Sequence, residues 1–280
     1  MYPTLLRLHW ADGSWSLPTY SAALTTGLIA FCLVGWWGAR RQGVGAGPGV
    51  CYVLTVAGAF LLGARLAYGL LAPNETGQPW QEVLLLDFGH FYLPGGLLAA
   101  VATGWAVSRL LGLNAWQMAD RMTPAVALAM AIVRLGCYGA GCCFGKETAV
   151  PWAVGFPPGS PTHLYQIQYN VQAIFTSPSP VHPTQLYLAT AALGVLGAVL
   201  VLRRYLHRPG LIALGAAILW LSLRIWIDCY RADIGPFQAH RDQLLSAAGI
   251  VACLLLLWGR LTLTGVPVGK DVPSLGPPNQ

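Results

Sequence analysis

Residues Ala131–Pro157 read AIVRLGCYGAGCCFGKETAVPWAVGFP. The run opens as an apolar helix with one arginine inside it, Arg134. It then breaks into Gly136, Cys137, Gly139, Gly141, Cys142, Cys143 and Gly145, passes through the polar turn Lys146-Glu147-Thr148, and closes on Pro151-Trp152. A charge at the end of an apolar helix, followed by backbone that a ligand can approach closely, is the pattern of a site. The rest of the chain reads as the membrane scaffold around it.

Composition sets the frame. Of 280 residues, 55% are hydrophobic and 9% charged, and the mean hydropathy is +0.56. Soluble domains carry about a quarter charged residues, so this chain cannot cover a water-facing surface and belongs in a bilayer. The net charge of +6 fits arginine-rich cytoplasmic loops. No DNA- or RNA-binding motif occurs, and nucleic acid is not expected as a partner. No cleaved signal peptide is expected either; the first span serves as the targeting signal.

The fold class expected is all-α: a polytopic membrane protein of about seven transmembrane helices. A polar and aromatic interfacial segment covers residues 1–17. One transmembrane domain covers 18–262, with spans near 18–37, 50–71, 92–111, 124–139, 183–202, 211–230 and 244–261. The spans are about the length a hydrocarbon core requires, the fourth being short, and each must be helical because lipid offers no partners to an open sheet edge. A long outer-face loop is expected at about 144–182, an acidic loop with Glu75, Glu82 and Asp87 before the third span, and a disordered cytoplasmic tail at 263–280. Arg40, Arg41, Arg109, Arg203, Arg204 and Arg260 gather on one side. That puts the N-terminus outside, the C-terminus in the cytoplasm and the Gly/Cys stretch at the outer face.

Three arginines stay inside spans: Arg65, Arg134 and Arg224. An arginine in the bilayer core costs roughly 2.5–3.5 kcal/mol or more, so it defaults to a functional residue. Two or three guanidiniums converging in a lipid-accessible pocket make a bidentate clamp for phosphate, and the nearest phosphate in a membrane is a phospholipid head group. The structural alternatives are that Arg65 snorkels and that Arg224 pairs with Asp228 at the i,i+4 spacing.

His182, before Pro183 at the start of the fifth span, is either an interfacial cap or a proton carrier. His90 is a similar candidate, while His9, His163 and His240 read as solvated. There are seven cysteines. Their odd number argues against a fully paired disulfide framework. For Cys137, Cys142 and Cys143 four readings stay open: packing, a disulfide, metal binding, or a nucleophile that Arg134 would favour as thiolate. The C-x4-C-C spacing without a flanking histidine is weak for zinc, so no metal and no organic cofactor is expected.

Several runs, in order, resemble the prolipoprotein diacylglyceryl transferases of bacteria. They are Leu17-Pro18-Thr19-Tyr20, Gly63-Ala64-Arg65-Leu66-Ala67-Tyr68, Gly95-Gly96-Leu97, Arg134-Leu135-Gly136 with Gly145, Pro151-Trp152, and His182-Pro183-Thr184-Gln185-Leu186-Tyr187. Arg224 with Asp228 and Arg231, then Asp242-Gln243, complete the match. The resemblance implies an enzyme of the bacterial plasma (inner) membrane with its site facing the periplasm or exterior. Its donor would be phosphatidylglycerol and its acceptor the lipobox cysteine beside a prolipoprotein signal peptide. It also implies a catalytic set of Arg134, Arg224 and His182, and lipid-binding roles for Arg134, Tyr20, Arg65, Gly95, Gly96, Gly145, Gln185 and Tyr187.

The sequence also departs from the family pattern. Pro94 stands where the family has His before Gly-Gly, Cys137 replaces an Asn, Cys142 replaces a Glu, Trp220 replaces a Tyr, and Leu188 replaces a Glu. The phosphate-binding half is kept and the proton-handling half altered, the pattern of a divergent paralogue. Two other classes remain open: a lipid-binding or transport protein with the clamp but no chemistry, and a membrane thiol protein using the three cysteines.

Overall fold

The computed structural model describes residues 4–10, 13–71, 91–169, 176–232 and 236–262. The expected acidic loop, His90 and the expected disordered tail lie outside the described residues, as do the side chains of His9 and His240.

Strands β1 (Thr4–Trp10) and β2 (Gly13–Pro18) form an antiparallel hairpin. The hairpin occupies the N-terminal segment, outside the helical membrane bundle. In Leu6-Arg7-Leu8-His9-Trp10 apolar and polar residues alternate, which is a strand's period of two. The rest of the described fold is built on helices: α1 (Thr19–Arg40), α2 (Ala46–Leu71), α3 (Leu93–Leu110), α4 (Ala115–Ala140), the short α5 (Pro161–Tyr169), α6 (Thr184–Leu202), α7 (Leu211–Asp228) and α8 (Pro236–Thr262). Six of these are long and apolar enough to cross a membrane. The seventh long helix, α3, is an 18-residue helix that packs along α2.

α4 is the central helix, in contact with α1, α3, α6 and α7. Small residues line its closest approaches: Gly136 meets Ala23 of α1, and Gly139 meets Thr19. The α2–α3 contact is built the same way from Gly63, Gly95 and Gly96. Lipid supplies no hydrophobic drive between helices, so close backbone approach and dispersion must hold them together.

The expected fourth span begins too late. α4 starts at Ala115, nine residues before Pro124, which lies inside the helix. Asn114 caps that start, its Oδ1 accepting from Trp116 N at 3.1 Å and Gln117 N at 3.3 Å. Neighbouring helices and Ser/Thr side chains compensate a proline inside a membrane helix, and here Thr123 Oγ1 donates to Ala119 O at 2.8 Å. Nearby, the Asp120 carboxylate accepts from Gly210 N at 2.7 Å and Ala213 N at 2.8 Å. It thereby supplies the N-terminal cap that Gly210 itself has no side chain to give α7.

The segment expected as a loop at about 144–182 is folded where described. Phe144, Phe156 and Val181 form a buried cluster with Tyr138, Val154 and Tyr165 around it. Tyr165 Oη donates to Ala232 O at 2.6 Å. Thr162 Oγ1 of α5 donates to Gly141 O at 2.9 Å. His163, expected to be solvated, is buried, and its Nδ1 accepts from Gly159 N at 3.0 Å.

Candidate functional site

α4 ends in an αL turn. Gly141 sits at φ 74°, and Cys142 N donates back to Cys137 O at 3.2 Å. Two residues later Cys143 is also left-handed, at φ 58°. A side-chain-bearing residue pays roughly 1–2 kcal/mol there. The turn is held from outside by the first residues of α6. Thr184 Oγ1 donates to Cys143 O, and Gln185 Nε2 to Cys142 O, each at 2.7 Å. Both side chains are fully buried. Gln185 Oε1 is buried without a hydrogen-bond partner.

This turn gathers the three cysteine sulfurs within 4.8 Å of one another. All three are free thiols. Cys143 is held well below the ordinary thiol value, first by hydrogen bonds from the Cys137 and Cys142 thiols and then by the Arg134 and Arg231 guanidiniums, against the opposing effect of burial. Cys142 is pushed up by hydrogen bonding to the same two sulfurs and by desolvation.

Gly145 follows directly. Its N donates to His182 O at 2.9 Å, and a Cβ there would lie 2.6 Å from His182 Cβ and 2.8 Å from Tyr230 O. Only glycine allows that approach. His182 is half-buried; its Nδ1 lies 3.2 Å from Tyr187 Oη, which also accepts from Trp152 Nε1 at 2.7 Å. The Tyr230 ring packs against His182 with centroids 5.2 Å apart.

The arginines fall into two groups. Arg224 is anchored: its Nε lies 3.3 Å from Asp228 Oδ2 and its Nη2 3.3 Å from Asp242 Oδ2. The expected i,i+4 pair therefore forms. Arg231 Nη1 lies 3.5 Å from Asp228 Oδ1 and Arg241 Nε 3.8 Å from Asp242 Oδ1, while Arg241 also stacks 5.3 Å from the Tyr92 ring centroid. Arg134 differs. Among the described residues it has no carboxylate and no hydrogen-bond partner, yet it is half-buried within α4 and acts electrostatically on Arg224, Tyr20 and Cys143.

The structure therefore brings Arg134, Arg224, His182, Tyr20, Gly145, Gln185, Tyr187 and the three cysteines to one end of the bundle. Gly95 and Gly96 lie at the same end but are used in helix packing, against Ala67 and Phe60 of α2. Arg65 lies on that α2 side, next to Ala64, whose carbonyl oxygen accepts from Tyr92 N at 3.0 Å. Arg241, which the sequence did not single out, joins Asp242 in this ionic group. An open cleft of about 870 Å³ is lined by Thr19, Tyr138, Gly139, Phe156 and Pro157 among others. A second cavity, of about 480 Å³ and lined by Trp105, Arg109 and Trp116, lies at the opposite end and carries none of this chemistry.

A bundle of apolar helices, six of them long enough to cross a membrane, with arginines inside it at one end, defines a polytopic membrane protein. The chain belongs to the prolipoprotein diacylglyceryl transferase family, whose model matches residues 8–259. It is 31% identical over 256 residues to the phosphatidylglycerol–prolipoprotein diacylglyceryl transferase of Gloeobacter violaceus, covering 88% of this chain and 89% of that one. The enzyme of the same name from Acaryochloris marina is 30% identical over 214 residues, 74% of each chain. That of Synechocystis is 27% identical over 259 residues, 87% of this chain and 88% of that one. The protein is thus a multi-pass bacterial membrane protein of a transferase family.

Proposed function

We propose that this protein transfers the diacylglyceryl group of phosphatidylglycerol to a cysteine thiol, most simply the lipobox cysteine beside a prolipoprotein signal peptide. The acceptor sulfur, as thiolate, attacks the glyceryl carbon that carries the phosphate ester. The C–O bond breaks, a C–S thioether forms, and glycerol-1-phosphate leaves with the electron pair. The thiol proton passes to a base, for which His182 is the candidate at this end of the bundle.

One observation carries the reading: Arg134 is an intramembrane guanidinium without an anion among the described residues. Such a charge costs roughly 2.5–3.5 kcal/mol in a bilayer, and a lipid phosphate would offset that cost. Charge grows on the phosphate as the C–O bond breaks, so Arg134 would bind the transition state more strongly than the ground state. Arg224, locked by two carboxylates, supports the same field without being free to clamp.

The orientation belongs to the same reading. Arg40, Arg109, Arg203 and Arg260 lie at or near the helix ends remote from Arg134, which supports a bacterial inner-membrane protein with that end cytoplasmic and the site facing the periplasm. The test is expression in cells depleted of their own diacylglyceryl transferase, with release of glycerol phosphate from phosphatidylglycerol assayed on the same membranes. Lipid-modified prolipoprotein is the expected result. Lipid binding without release would replace the transferase reading with a lipid-binding one.

A further inference from the structure

We propose that Cys137, Cys142 and Cys143 form a three-thiolate site for a soft d10 cation, with monovalent copper as the ion it fits. The three Sγ atoms lie within 4.8 Å of one another, and no histidine or carboxylate joins the group among the described residues. Metal–thiolate bonds are about 2.3 Å long, so a trigonal site needs its sulfurs about 4 Å apart; small side-chain rotations close the difference. A ligand set made only of thiolates selects soft ions. Structural zinc requires a fourth protein ligand, and the described residues supply three.

The backbone around these sulfurs is built rather than incidental. Gln185 and Thr184, both fully buried, hold the carbonyls of Cys142 and Cys143 at 2.7 Å from a helix some 40 positions further along the chain. Cys143 is fixed at φ 58°, a conformation that a cysteine keeps only where its surroundings impose it. Outer-shell bonds of this kind orient metal ligands. Charge agrees as well. Three thiolates around one monovalent ion leave a negative site, and Arg134 stands three residues before Cys137 on α4. Cys137 is buried while Cys142 and Cys143 are half-buried, so the ion would be enclosed yet able to exchange.

The proposal rests on sulfur geometry and stands apart from diacylglyceryl transfer; its readouts involve no lipid substrate. The full chain, in detergent and reduced under anaerobic conditions, is titrated with Cu(I) supplied from a competing chelator. One Cu(I) per chain is expected, with three sulfur neighbours at about 2.3 Å by X-ray absorption. Cys142→Ser should weaken binding by at least the roughly 100-fold that even an outer-shell change can cost. Should that variant fold poorly, maleimide labelling of the unaltered protein decides. Cu(I) should protect Cys137, Cys142 and Cys143 while leaving the exposed Cys229 reactive. Equal copper uptake by the triple Cys→Ser variant, no protection on labelling, or retention of Zn(II) in preference to Cu(I) would each overturn the assignment.

Discussion

The Asp228 carboxylate, wholly buried, lies 3.3 Å from Arg224 Nε. It also faces Arg231 at 3.5 Å, so one anion separates two cations at the end of α7. Removing one member of a buried ionic network leaves the others uncompensated, at about 3–5 kcal/mol. Asp228→Asn keeps the shape and removes the charge. It should lower the unfolding free energy by about 3 kcal/mol or more, read as a large drop in the thermal midpoint in detergent. An unchanged midpoint would mean that Arg224 is held by Asp242 alone.

Among the described residues Arg134 has no such anchor, so its substitution should affect lipid chemistry more than stability. A charge-assisted hydrogen bond contributes about 1.5–3 kcal/mol, which is roughly 10–150-fold in turnover. Arg134→Ala should lose at least that much phosphatidylglycerol turnover with little loss of folded protein. Arg134→Lys should recover part of it, because the charge returns without the bidentate fork. Full turnover in the alanine variant would remove Arg134 from the site.

Gly145 tests the packing of the reactive turn against His182. Gly145→Ala would drive a methyl to 2.6 Å from His182 Cβ, and overpacking of this kind costs about 1–3 kcal/mol. The measurement is unfolding of the purified variant beside its turnover. Both should fall, because the bond from Gly145 N to His182 O also positions the imidazole.

Tyr187 joins His182 to Trp152 through its hydroxyl. Tyr187→Phe deletes that junction at about 1 kcal/mol of stability. A shifted pH dependence of kcat is expected if His182 handles the proton, since its ring loses an oriented partner. An unaltered pH profile together with unaltered turnover would assign the proton to another group.

Asp120 provides the contrast at the far end of the bundle. Asp120→Ala uncaps α7, where its two oxygens accept at 2.7 and 2.8 Å. The loss should be about 1–2 kcal/mol. Transfer per folded molecule should stay the same, which separates a general loss of stability from damage to the site.

Much of this was legible in the linear chain because a bilayer imposes local rules. Runs of about 20 apolar residues must be helices, so the membrane bundle followed from composition alone. An arginine within such a run is costly wherever it folds, which singled out Arg134 and Arg224 before any contact was known. The Arg224–Asp228 pair is one helical turn long and therefore also local. The family runs, from the Tyr20 region to Asp242, marked which end mattered.

Tertiary structure decided what depends on partners distant in sequence. Thr184 and Gln185 reach the cysteine turn from 41 and 43 residues away. Asp120 reaches Gly210 across 90. His163 is buried by packing that its own neighbours do not announce. α4 runs through Pro124 because surrounding helices and Thr123 compensate the broken ladder. Spacing as C-x4-C-C gives no distance between sulfurs; the αL turns at Gly141 and Cys143 bring them together. The sequence by itself thus determined a membrane bundle with arginines inside it, since hydrophobic length and charge cost act residue by residue. Only the folded chain decided which arginine has no carboxylate partner among the described residues and which thiols meet, since both depend on bonds between segments that the linear order keeps apart.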